Sequence, residues 1–142
     1  MNQPTPSQCQ MPLPLPFEQT QRIVLRCLRR MAAHGIRDAQ ASLWVFDQFG
    51  IHYRRPLVLL RAFVVELAQV SQRRIQIAPC CAMRMTLDEG RIVEILAAAG
   101  QHPARAQRTL RLLTETTNAS SPLSLAAAFN DTLAALGKPL EL

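Results

Sequence analysis

The stretch TLDEGRIVEILAAAG, Thr86 to Gly100, carries the signals of a complete helix: a start, an apolar face and a stop. Thr86 followed by Glu89 forms a capping box, in which the threonine hydroxyl and the glutamate carboxylate each satisfy a backbone amide left orphaned by the first turn. Asp88 and Glu89 also set negative charge against the positive end of the helix dipole. Ile92, Ile95, Leu96 and Ala99 fall on one face, and Gly100 closes the element. An apolar stripe of this kind has to be buried against other elements, so the fold is a matter of finding its partners.

The same punctuation divides the whole chain into about six helical segments, of which this is the fourth. The first runs from roughly Phe17 to His34, where Gly35 ends it, with Val24, Cys27, Leu28 and Met31 on one face. The second spans about Asp38 to Phe49, is closed by Gly50, and holds the single tryptophan, Trp44, read as a core anchor. Pro56 stands in the first turn of the third helix, where a missing amide hydrogen costs nothing. That helix continues to about Gln69, and its nearly all-round apolar surface marks it as the centre of the domain. Pro103 opens a fifth helix through Glu115, with Arg105, Arg108 and Arg111 along one face. After the turn-rich TTNASSP, Ser121 caps the last helix with Pro122 in its first turn, and Gly137 ends it. Ser71 to Ala78 alternates briefly around Ile75 and Ile77, but a lone strand has no partner, so it reads as a connection. The expected fold class is all-α: a compact single-domain bundle over 17–137, with a disordered Pro-rich tail at 1–16 and a short C-terminal tail at 138–142.

Composition bounds the function. A chain of 142 residues that is 49% hydrophobic can fill one core, and no repeat suggests a solenoid. Fifteen arginines and the single Lys138 against ten acids give a net charge of +6. That excess gives general affinity for polyanions. With no basic runs and only seven aromatics to stack on bases, nucleic-acid binding is a weaker reading. The first sixteen residues contain five prolines and neither the basic nor the apolar region of a secretory signal. The most apolar run, Leu57 to Val70, is shorter than a membrane span and broken by Arg61 and Glu66. The expected compartment is the cytoplasm, where thiols stay reduced. Cysteines at 9, 27, 80 and 81 do not form a disulfide framework, since one lies in the tail and two are adjacent.

Three groups of residues are candidates for chemistry. Pro79 can start a helical turn that places Cys80 and Cys81 near a positive dipole end, with Arg84 close by, conditions that activate a thiol. The adjacent pair lacks the Cys-x-x-Cys spacing of zinc and iron-sulfur sites, so a metal would need His34, His52, Cys27 or an acidic residue from another segment as well. Against that stands burial as small apolar side chains, while His34, in a last helical turn, complements the dipole. Arg54 and Arg55 crowd the N-terminus of the third helix, where their charges call for Asp38, Asp47 or a bound anion. Arg22, Arg26, Arg29 and Arg30 form a basic face opposite the apolar stripe of the first helix, open to solvent or to an acidic partner. Gly-rich phosphate loops, HExxH and nucleophile elbows do not occur.

The stretches RRMAAHGIRDAQA (29 to 41), RRPLVLLRA (54 to 62) and IAPCCAMRMT (77 to 86) together resemble a family of small uncharacterised bacterial proteins, over about residues 22 to 100. The resemblance implies a compact helical fold and brings no activity with it. The leading expectation is a non-enzymatic interaction or regulatory domain, a homodimer or the partner of an acidic protein. The alternative is a thiol-redox or metal-binding protein built on Cys80 and Cys81, and a nucleic-acid binder is the third. No cofactor is predicted; zinc or iron enters only with the second reading.

Overall fold

The computed structural model describes residues 10–142. Among the described residues six helices carry the fold: α1 Gln19–His34, α2 Ala39–Phe49, α3 Arg54–Val70, α4 Leu87–Ala98, α5 Pro103–Thr114 and α6 Ser120–Ala135. A single 3-10 turn, Gly50–His52, links α2 to α3. The all-α expectation holds, with one addition: two-residue strands β1 (Leu13–Pro14) and β2 (Arg84–Met85) pair antiparallel, Leu13 opposite Met85 and Pro14 opposite Arg84.

The capping box at Thr86 forms as the sequence demands. Thr86 Oγ1 accepts from the Glu89 amide and Glu89 Oε1 from the Thr86 amide, both at 2.9 Å. Asp38 caps α2, its carboxylate accepting the Ala41 amide at 3.0 Å. Gly35 and Gly50 close α1 and α2 at φ values of 100° and 61°, where a side chain would be strained. α6 differs from its expected start. Ala119, not Ser121, occupies the cap position, without a side-chain cap. Pro122 becomes the third helical residue, where its missing hydrogen is still one of the orphans.

The centre of the bundle is α4 rather than α3. Eight of its twelve residues are buried, and it packs on α1, α5 and α6. Small residues at Ala97, Ala98 and Ala99 let its neighbours approach closely, since helix separation follows side-chain size. α3 buries one stripe, Leu57, Leu60, Phe63 and Leu67, mainly against α6, and leaves Val58 59% exposed. Apolar composition marked α3 as central, but several of its valines and alanines are only half-covered.

Both ends are more closely held than the sequence suggested. Of the expected tail, residues 1–9 lie outside the described residues, whereas residues 10–16 lie on the body. β1 pairs with β2, Leu13 packs on Gly90, and Pro16 is buried. The Arg84 guanidinium donates to the Met11 carbonyl at 3.0 Å and the Pro12 carbonyl at 2.6 Å, so a segment whose prolines lack amide hydrogens is fastened through its carbonyl oxygens. At the other end Leu140 is buried, with its amide and carbonyl both bonded to the Asn130 side chain.

Ser71 to Ala78 is a connection, as expected, but an extended one with its own bonding. Its amides at Gln76 and Ala78 lie on one edge and donate to the carboxylates of Asp88 (2.7 Å) and Glu89 (3.4 Å). The first turn of α4 thus takes the place of a partner strand.

Candidate functional site

Arg29 is the structural floor of the site. Grouped by the helical wheel with the basic face of α1, it is in fact 2% exposed. Its Nε and Nη2 donate to the two Glu89 oxygens at 2.7 and 3.0 Å. Nη1 reaches the Ala82 carbonyl at 2.9 Å and Nη2 the Arg84 carbonyl at 2.7 Å. Segment 82–86 has closed over this part of the α1 face, so the expected basic face shrinks to Arg22, Arg26 and Arg30. Among the described residues no buried side-chain nitrogen or oxygen lacks a hydrogen-bond partner. A bidentate guanidinium satisfied on every side is the geometry that makes a buried ion pair tolerable.

What Arg29 holds is the turn that presents the vicinal cysteines. The Ala82 amide donates to the Pro79 carbonyl at 3.0 Å, making Cys80 and Cys81 the two central residues of a four-residue turn. The helical start expected at Pro79 does not form, because the chain turns once and then pairs as β2. Cys80 is half-buried and Cys81 exposed. Both line a cavity of about 610 Å³ between this turn, α1 and α2, together with Arg22, Arg26, Trp44 and Asp47. Arg22 bonds the Pro16 carbonyl through its Nε. The Arg26 guanidinium lies 4.5 Å from the Trp44 ring centroid, a cation–π contact. Trp44 is therefore only half-buried, packing on the core as expected while also walling the groove. Asp47 lies here and not with Arg54 or Arg55, and no spacing in the sequence connects it with Trp44 or the cysteine turn.

Cys27 is a different kind of thiol. It is fully enclosed, its Sγ donates to the Ala41 carbonyl at 3.7 Å, and burial pushes it up to about 12. Free cysteine packed in this way behaves as a small apolar side chain.

The remaining sequence candidates lie elsewhere. Arg30 makes a bidentate pair with Asp38, at 3.0 and 2.8 Å. That pairing, with the Ala41 amide, holds the Asp38 carboxyl down at about 2. His34 stands in the last turn of α1, where its charge also bears on Asp38. His52, Arg54 and Arg55 line a second cavity of about 570 Å³ with Asp131 and Thr132. The carboxylate there is Asp131, not the Asp38 or Asp47 that the sequence offered, and Arg55 Nε donates to Thr132 Oγ1 at 3.2 Å. Among the described residues no three His, Cys, Asp or Glu side chains gather as a metal site, nor is any helix long and apolar enough to cross a membrane.

Fold and groove together define an all-helical bundle whose thiol-edged, arginine-lined groove is framed by its first two helices and a turn. A family model matches residues 4–138, and the chain belongs to that family, the family of unknown function DUF6628. The match takes in the N-terminal segment and α6, which the three-stretch resemblance left outside. No curated protein and no solved structure matches the chain.

Proposed function

We propose that the chain is a non-enzymatic cytoplasmic binding module whose groove between α1, α2 and the Pro79–Ala82 turn receives an acidic segment of a partner protein. The observation that carries this reading is the pairing of Arg22 and Arg26 with the half-buried Trp44 in one cavity. Neither arginine has an ion-pair partner among the described residues, whereas Arg29 and Arg30 are spent internally. Asp47 lines the same groove and offsets one of the two charges, so the fit is to a short segment with one or two carboxylates. Arginine forks suit carboxylates, and an indole offers a flat apolar surface for the segment's side chains.

Trp44 is also the reporter. Its fluorescence should change saturably as a Glu-rich peptide is added, weaken at high salt as exposed charges are screened, and stay flat with a Lys-rich peptide. Arg26→Glu should abolish the response. Equal responses to both peptides, or a response only to a single-stranded oligonucleotide, would overturn the proposal; the latter would make the groove a nucleic-acid site.

A further inference from the structure

The groove wall carries two thiols that charge recognition does not use. Access sorts the three described cysteines: Cys81 is exposed, Cys80 half-buried and Cys27 enclosed. Thiol–disulfide exchange needs a thiolate that can reach the target sulfur, so reactivity should follow the same order. Arg22 and Arg26 line the cavity with both cysteines, and they favour a disulfide that carries carboxylates over a neutral one.

The neighbour of Cys81 is a poor resolving thiol. Adjacent residues joined by a trans peptide have Cα atoms about 3.8 Å apart. Disulfide-linked residues usually lie about 4.4–6.8 Å apart, and departures from that range make the bond strained and easily reduced. A ring closed between Cys80 and Cys81 is therefore disfavoured, and Cys27 is sealed in the core. An adduct formed on Cys81 has no well-placed thiol to displace it, so it persists until an external thiol removes it.

We propose that Cys81 is a site of reversible S-thiolation by an anionic low-molecular-weight disulfide of the glutathione class, its carboxylates held by Arg22 and Arg26. The Cys81 thiolate attacks one sulfur of the disulfide, whose S–S bond breaks as the new mixed S–S bond forms. The other half departs as a thiolate and takes up the proton that Cys81 released. One protein thiol and one disulfide become one mixed disulfide and one free thiol, and a second external thiol reverses the exchange. The adduct fills the groove and excludes an acidic partner; that last consequence rests on the proposed binding role, while the modification itself does not.

The test uses the reduced full-length chain with oxidised glutathione or, separately, the neutral bis(2-hydroxyethyl) disulfide. Intact mass spectrometry follows the adduct and peptide mapping locates it, each rate being divided by that of the urea-unfolded chain. The expected product is one glutathionyl group on Cys81, retained in Cys80→Ser. One exposed charge pair at contact is worth about 1 kcal/mol in water, so the relative rate should favour glutathione by about fivefold or more. That advantage should vanish at high salt and in Arg22→Ala/Arg26→Ala. Equal relative rates, an adduct mapped to Cys9, Cys27 or Cys80, or conversion to a Cys80–Cys81 disulfide without adduct would overturn the proposal. Should the arginine variants not fold, the comparison of disulfides and the salt series on the unaltered protein still decide. An acidic peptide added as competitor should slow the labelling; labelling at Cys81 that ignores the peptide would defeat the binding role and leave the modification standing.

Discussion

Replacing Arg29 by methionine keeps most of the side-chain volume and removes the charge that Glu89 faces. Both side chains are 1% exposed, so the glutamate carboxyl would be left in the interior with only the Thr86 and Ala78 amides for company. Breaking a buried pair in this way typically costs about 3–5 kcal/mol. The carbonyls of Ala82 and Arg84 lose a donor as well, but both bonds are only part-buried and water can replace part of that loss. Against a total stability on the order of 5–15 kcal/mol, the variant should forfeit about a fifth or more. Urea denaturation followed by far-UV circular dichroism, with Trp44 fluorescence as a second probe, measures this as a lower midpoint at unchanged slope. Adding Glu89→Gln removes the orphaned carboxyl and keeps a capping-box acceptor. The double variant should therefore be more stable than Arg29→Met alone, with a coupling of roughly 0.5–3 kcal/mol. A loss below about 1 kcal/mol for Arg29→Met, within the ordinary range for any substitution, would refute the reasoning. So would a Glu89→Gln penalty that simply adds to it.

Three further outcomes follow from single contacts. Asp38 is depressed from the usual 3.8 to about 2 by Arg30 and the Ala41 amide, so its stabilising effect is full above 3.8 and disappears as pH falls through 2. The stability gap between the native chain and Asp38→Asn should narrow over that window in acid titrations. Cys27 is raised from 9.0 to about 12, so it favours the folded state below pH 9 and that contribution is lost as pH rises toward 12. Cys27→Ala should flatten the alkaline part of the stability curve, and the native thiol should resist alkylation until the chain unfolds. Gly90→Ala should gain less than the about 1 kcal/mol by which alanine is the better helix former, because its methyl has to push aside the tip of the Leu13 side chain. In a Leu13→Ala background the same change should show the full gain, as thermal denaturation of the four proteins would reveal.

The start of α4 was legible because a capping box is written within four residues and satisfied within one turn. The apolar face of α1 was equally so: Val24, Cys27, Leu28 and Met31 are all buried. Arg29 was not. A helical wheel places it with Arg22 and Arg26, and nothing local shows that segment 82–86, more than fifty residues onward, will cover one end of that face. The centrality of α4 escaped for a related reason. Hydropathy measures how apolar a helix is, whereas the middle of a bundle goes to the helix that several neighbours can approach, here through Ala97 to Ala99. The groove is a tertiary object from the outset, since Arg26 meets Trp44 across two helices and Cys80 and Cys81 reach it from a third segment. Their adjacency was visible in the sequence; the turn that aims them was not.

The central claim, that the groove between α1, α2 and the cysteine turn is the binding surface, is tested most directly by amide and indole NMR shifts during titration with a Glu-rich peptide. Shifts should concentrate at Arg22, Arg26, the Trp44 indole and residues 80–83. Shifts gathered instead around His52, Arg54, Arg55 and Asp131, or none at saturating peptide, would contradict it.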